Sequence, residues 1–236
     1  MPPPLRKAGR LGAGLVIATI ASGGSGGDRL CGSVPSTATA PAVSVVWTLD
    51  TLTSIGGHVP AVLGAPQVTE GDHAVHFNGV DDGLTVPVNP LAGLKEFTIE
   101  ILFEPRAGGG AEQRFFHVED DAGSRVLLEI RMTPDGQWAL DTFMLSGKSG
   151  LALLDRSKLH PADRWCWVAL RYDGRRMTHY VNGRQELEGH VDFAPMQAGR
   201  ASLGVRLNRI SWFKGALEEV RIHGTALAAA ALQRVQ

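Results

Sequence analysis

Beyond about Val43, alternation of apolar and polar residues at period two recurs along the chain. Phe97, Ile99, Ile101 and Phe103 fall on one face of an extended segment, with Thr98, Glu100 and Glu104 on the other. That pattern predicts a half-buried strand, ended by Pro105. Val126, Leu128 and Ile130 alternate in the same way with Leu127, Glu129 and Arg131, and Asp135-Gly136 then turns the chain toward a strand around Trp138 and Leu140. The economical reading is a hairpin. Between Trp165 and Val191, the turn pairs Asp173-Gly174 and Asn182-Gly183 separate three short segments: Trp165 to Tyr172, Arg176 to Val181 and Arg184 to Val191. These predict a three-stranded meander. Helical periodicity is absent until the alanine-rich tail, where Ala228 to Gln233 predicts a single helical turn. Short strands, frequent turns and almost no helix point to an all-β fold, a two-sheet antiparallel β-sandwich over about residues 45 to 225, with no internal repeat.

The first 21 residues contain no acid, and Arg6, Lys7 and Arg10 precede an apolar stretch from Leu11 to Ala21. This order predicts a signal peptide over residues 1–24, and hence a secreted protein, extracellular or periplasmic. A disordered N-terminus with a chance apolar patch is the alternative. Residues 25–42 are rich in Gly, Ser, Thr, Ala and Pro, which reads as a flexible lead-in to one domain over residues 43–236. The 236 residues carry 23 Lys and Arg against 24 Asp and Glu, without runs of either sign. Nucleic acid is therefore not an expected partner. Two cysteines exclude a disulfide-rich miniprotein or a four-cysteine zinc site, and the longest apolar run is too short to cross a bilayer.

Four blocks then carry a family resemblance. His76 to Pro87 (HFNGVDDGLTVP) resembles the opening "F-D/N-G-x-D-D-x-x-x-V-P" of laminin G-like, concanavalin A-like jelly-roll domains. Phe97 to Pro105 resembles "F-T-I-E-x-W-x-x-P", Trp165 to Gly183 resembles "W-H-H-V-A-x-x-Y-D-G … Y-V-N-G", and Phe213 to His223 resembles "F-x-G-x-I-D-E-V-R-I-Y". The blocks keep the family's order between about residues 45 and 228. Leu102 replaces the usual Trp, Cys166 and Trp167 replace the two His, and Glu218 stands where Asp is common. The resemblance implies a concanavalin A-like jelly roll, and a binding module for glycans or extracellular proteins. It does not identify the ligand, because the family shares a scaffold while its ligands differ.

The chemistry has to come from particular residues. Trp212 adjoins an inward Phe213, so its indole is expected to face outward beside Asn208, Arg206 and Arg209, where it could stack on a sugar while the polar groups bind hydroxyls. Packing against a sheet edge is the other reading of this tryptophan. Glu186, Glu188, His190 and Asp192 recur at every second position and are expected on one strand face, with Cα atoms two residues apart separated by about 6.6 Å. This spacing allows the alternative of a polysaccharide-cleaving enzyme with Glu186 and Glu188 as its carboxylates. A solvent-facing charged strand is the simpler reading. Arg125, Glu129 and Arg131 resemble the arginine-rich strand of jelly-roll alginate lyases, but the companion strands of those enzymes are absent; an outward face paired across strands is expected instead. Asp81 and Asp82, with Asn78 nearby, offer oxygen donors suited to Ca²⁺, although the same residues serve as turn formers and caps. No cofactor is otherwise expected. His73 and His76 point to opposite faces and cannot form a pair. Cys166 shares a face with Val168, Leu170 and Tyr172 and is expected to be buried; a disulfide to Cys31 is open if the leader is cut before that residue. No Ser-His-Asp order, phosphate loop or nicotinamide fingerprint is present.

Overall fold

The computed structural model describes residues 45–235, apart from Glu70 and Asp72. The signal peptide expected over 1–24, the lead-in over 25–42 and Cys31 lie outside the described residues. The strands, in chain order, are β1 (Val45–Thr48), β2 (Ala61–Leu63), β3 (Gln67–Thr69), β4 (Ala74–Asn78), β5 (Gly83–Val86), β6 (Phe97–Pro105), β7 (Glu112–Asp120), β8 (Arg125–Met132), β9 (Gln137–Ser146), β10 (Ser149–Leu154), β11 (His160–Pro161), β12 (Cys166–Tyr172), β13 (Arg176–Val181), β14 (Arg184–His190), β15 (Gly199–Leu203) and β16 (Lys214–His223). A 3₁₀ turn at Ala229–Ala231 stands where the alanine-rich tail predicted a helical turn.

The strands form two eight-stranded sheets. The first runs β14-β13-β12-β6-β16-β4-β3, with β1 also on β16, and the second runs β10-β9-β8-β7-β15-β5-β2, with β11 also on β9. The strand pairs are antiparallel throughout, including the predicted β8–β9 hairpin and the β12–β13–β14 meander. At the β13–β14 turn, Asn182 and Gly183 adopt φ of 47° and 73°. Two successive positive φ values match the right-handed twist of the flanking strands, which is why Asn-Gly is favoured there.

The inward faces meet in one aromatic-rich core. Phe103 of the first sheet stacks on Phe115 of the second at 4.6 Å between ring centroids and meets Trp138 edge-on at 5.2 Å. Phe97, Ile99, Ile101 and Phe103 all point into this core, as their alternation predicts. The opposite face of β6 departs from the half-buried expectation, because Thr98 and Glu100 are also buried. The cause is the chain beyond β16, which folds back over the first sheet. Thr98 Oγ1 donates to the Thr225 carbonyl and accepts the Leu227 N–H, while Glu100 accepts the Gln233 N–H. His223 Nε2 lies 2.9 Å from the other Glu100 oxygen. Leu227 and Leu232 complete the cover by packing with Ala169 and Tyr180 in a small second cluster. Buried carboxylates need such partners, since an unpaired one costs several kcal/mol.

Candidate functional site

The outer face of the second sheet is not covered in this way. On β8, Val126, Leu128 and Ile130 enter the core, so Arg125, Leu127, Glu129 and Arg131 face outward. Strand register extends these residues into rows across the sheet. Arg200 (β15), Glu119 (β7) and Arg125 (β8) form one row; Ser202, His117, Leu127, Phe143 and Ala152 form the next. Arg114, Glu129 and Asp141 follow, and then Glu112 and Arg131. A register shift between Arg114 and Phe116 marks a β-bulge on β7. The bulge lets both Phe115 and Phe116 enter the core while returning Arg114 to the outer face.

These rows line a cleft of about 220 Å³, formed by Arg114, Arg125, Leu127, Glu129, Arg131, Asp141, Phe143, Ala152 and Arg206. Its floor is an apolar strip of Leu127, Phe143 and Ala152, and the Arg125 guanidinium sits 5.7 Å from the Phe143 ring centroid. One wall is held by ion pairs. Arg114 Nε contacts Glu129 Oε1 at 3.0 Å, and Arg131 Nη2 contacts Glu129 Oε2 at 3.1 Å and also pairs with Asp141 Oδ2. Glu112 adds a third carboxylate, 3.2 Å from Arg114 and 3.6 Å from Arg131. Burial pushes the Asp141 carboxyl up to about 6; Arg131 opposes this shift and the adjacent Glu129 adds to it.

The other wall is the loop between β15 and β16, which carries Arg206. Leu207 donates its N–H to His117 Nδ1 at 3.1 Å, and Arg114 donates its N–H to the Ser211 carbonyl at 2.9 Å while its Nη1 bonds Ser211 Oγ. A backbone donor on Nδ1 fixes the neutral imidazole as the Nε2–H tautomer. Burial, followed by the charges of Arg206, Arg125, Arg114 and Arg200, holds His117 down at about 3. The histidine is therefore neutral at physiological pH, in a strongly positive surrounding. Arg209 and Ser211 of this loop adopt φ of 60° and 59°. Such conformations cost non-glycine residues free energy and here are held by the loop's anchorage to β7.

The residues singled out in the sequence fall in several places. Arg206 lines the cleft, Asn208 and Arg209 are exposed in the same loop, and Trp212 is half-buried where the loop ends. A Cβ built on Gly83 of β5 would lie 3.4 Å from the Trp212 ring, so the indole packs toward β5 and is not among the cleft-lining residues. Glu186 and Glu188 do not share a face as expected. A register shift opposite His179 and Tyr180 makes Glu186 the extra residue of a bulge, and alternation fails there. Glu186 turns in to His160 Nε2 at 2.8 Å, with His179 Nε2 at 3.9 Å, whereas Glu188 points out to Arg176 at 3.2 Å.

Asn78, Asp81 and Asp82 form a closed turn network. Asp82 accepts the N–H groups of Ala65 and Asn78 on its two oxygens, Asn78 Oδ1 accepts those of Val80 and Asp81, and Asn78 Nδ2 donates to Asp81. The four bonds from backbone N–H groups do the work of caps. No cluster of three or more His, Cys, Asp or Glu is arranged to hold a metal among the described residues. Cys166 is buried in the core, and burial pushes its thiol upward. Arg114, His117, Asp141 and Phe143 were not singled out in the sequence. Period-two alternation along β9 marks the last two as outward positions, but the bulge on β7 hides the first.

A second, more open cleft of about 500 Å³ lies at one end of the sandwich. Its hydroxyls are already engaged: Tyr172 Oη donates to the Val191 carbonyl and accepts the Phe193 N–H, and Ser149 and Ser146 accept the N–H groups of Asp192 and Ala194.

A family model matches residues 78–233 under the description concanavalin A-like lectin/glucanases superfamily. The chain belongs to this superfamily. No curated protein matches it by sequence. Among solved structures, it is similar to domain 4 of an extracellular arabinanase from Geobacillus stearothermophilus in complex with arabinotriose, with a TM-score of 0.55 and 19% identity over 82% of this chain and 97% of that one. The ligand binding domain of botulinum neurotoxin serotype D, in complex with N-acetylneuraminic acid, gives a TM-score of 0.60 and 13% identity over 80% of this chain and 49% of that one. A heptameric pentraxin from Limulus polyphemus gives 0.52 and 16% identity over 66% and 77%. These likenesses establish the shared sandwich. No helix among the described residues is long and apolar enough to cross a membrane.

Proposed function

We propose that the protein is a non-catalytic binding module that takes a saccharide in the cleft on the outer face of its second sheet. The carrying observation is the cleft's two-sided character: an apolar strip of Leu127, Phe143 and Ala152 beside a wall of arginine N–H donors, in about 220 Å³. A sugar ring has the matching form, with C–H groups on its faces and hydroxyls on its rim, and the space accommodates one ring and little more. The saccharides in complex with the arabinanase domain and the neurotoxin domain support this reading. An extracellular or periplasmic location, expected from the N-terminal pattern, is consistent with it.

Cleavage is disfavoured by how the carboxylates are used. Retaining hydrolysis needs one free nucleophilic carboxylate and one proton donor within reach of the bond. Glu129 spends both oxygens on Arg114 and Arg131, Asp141 is tied to Arg131, and Glu186 and Glu188 diverge. A glycan array followed by calorimetry and a reducing-end assay tests the proposal. Saturable binding without product release is expected, with affinity lost in Phe143→Ala. Reducing ends or unsaturated products that disappear in Glu129→Gln or Asp141→Asn would make the protein an enzyme.

A further inference from the structure

The cleft's charges do not balance, and the imbalance names a ligand class. Arg114 and Arg131 are more than matched by the three carboxylates of Glu112, Glu129 and Asp141, which are spent on that one wall. Arg125 and Arg206 make no ion pair among the described residues. The register places Glu119 opposite Arg125, yet among the described residues the two make no ion pair, and Glu119 lies 3.4 Å from Nε2 of the neutral His117. The Arg125 guanidinium lies over Phe143, 5.7 Å from its ring centroid, and its Nε is buried without a hydrogen-bond partner among the described residues.

Resting on the saccharide reading above, we infer that the bound sugar carries an anionic group, a carboxylate or a sulfate, seated between Arg125 and Arg206. A half-buried guanidinium without a counter-ion has lost hydration that nothing in the protein replaces, and an anionic ligand offsets that loss. The planar fork of arginine offers paired N–H donors to the paired oxygens of either anion. Phe143 beneath Arg125 contributes an apolar surface for the ring carrying the anion, so the sugar and its charge are recognised by adjacent groups. The lowered basicity of His117 has burial as its first cause and the charges of these same arginines as its second, in keeping with that placement. A neutral sugar would satisfy N–H donors but leave both charges uncompensated.

The test uses the whole chain on an array of neutral, uronate-containing, sialylated and sulfated oligosaccharides. Calorimetry then follows with oligogalacturonates, their methyl esters and sulfated galacto-oligosaccharides as probes. Anionic sugars should bind and their neutral counterparts should not. Arg125→Gln and Arg206→Gln should each weaken binding about 10-fold or more, in line with loss of a charge-assisted hydrogen bond. Arg125→Lys should recover only part of this, because it restores charge without the fork. Preference for uronates or for sulfates identifies the anion, and either outcome supports the inference. Neutral sugars bound as tightly as acidic ones, with affinity still lost in Phe143→Ala, overturn the anionic inference and leave the saccharide reading standing. No saccharide binding at all overturns both. If Arg125→Gln melts before it can be titrated, Arg206→Gln, on a loop, decides the same point.

Discussion

The two outer faces of this sandwich have been finished differently. On the first sheet, the chain beyond β16 returns across the strands, so that Glu100 is bonded to His223 and to the Gln233 N–H while Leu227 and Leu232 close over Tyr180. On the second sheet, Arg125 and Arg206 stand in a cleft without counter-ions among the described residues, and Arg125 lies over Phe143. A face that the protein covers with its own chain serves stability. A face left open, with two of its arginines unpaired among the described residues, is organised for something outside the protein.

The largest effect should come from uncovering the closed face. Truncation after Gly224 removes the apolar cover of Leu227 and Leu232 and takes away partners of Thr98 and Glu100, and should cost about 5 kcal/mol or more of unfolding free energy, read in urea. A loss below about 1 kcal/mol would mean that the tail merely rests on the sheet.

An acid titration probes His117 and Asp141 of the open face together with His179 of the first sheet. His117 is lowered from 6.5 to about 3, and His179, buried and 3.0 Å from Thr142 Oγ1, to about 4. Each binds its proton less readily when folded, so each contributes stability that is present above pH 6.5 and lost as pH falls toward its folded value. Asp141, raised from 3.8 to about 6, has the opposite sign: its contribution is present below pH 3.8 and lost as pH rises through about 6. Two histidines against one carboxyl should leave a net loss of roughly 2–4 kcal/mol between pH 6.5 and 4. His117→Asn, whose side-chain oxygen can still accept the Leu207 N–H, should flatten this limb.

Arg131→Met comes next. It leaves Asp141 and one oxygen of Glu129 without their guanidinium partner in a site where all three side chains are nearly buried. A cost of about 2–3 kcal/mol is expected, with the Asp141 carboxyl rising further, measurable by carboxyl carbon NMR. An unchanged Asp141 titration would show that this wall is not held as described.

The smallest effect concerns Trp212, which the sequence offers either as a sugar platform or as a residue packed at a sheet edge, and which in the structure packs toward β5. Trp212→Ala should change saccharide affinity by about 3-fold or less, and Phe143→Ala by about 10-fold or more, since a ring contributes stacking energy only where it lies in the site. The reverse order would move the site to the β15–β16 loop.

Much of the scaffold is legible in the sequence, because period-two alternation and the Asp-Gly and Asn-Gly turns are local signals. Arg125, Glu129 and Arg131 could be read as one outward face for the same reason. What lies beyond local pattern is of two kinds. Bulges break the alternation that face assignments depend on, which sends Glu186 inward and returns Arg114 outward. Pairing between strands distant in sequence, such as β7 with β15, decides that His117, Arg200 and Arg206 meet. The cover over Thr98 and Glu100 depends on residues more than 100 positions away.

Whether the open face of the second sheet is the ligand face is tested most directly by mapping backbone amide shifts while an array-positive oligosaccharide is titrated in. Saturable shifts should concentrate at Arg125, Leu127, Phe143, Ala152 and Arg206, with β12, β13 and the C-terminal tail unmoved. Shifts confined to the Asn78 to Asp82 turn, the second cleft around Tyr172 or the first sheet's outer face would contradict this assignment.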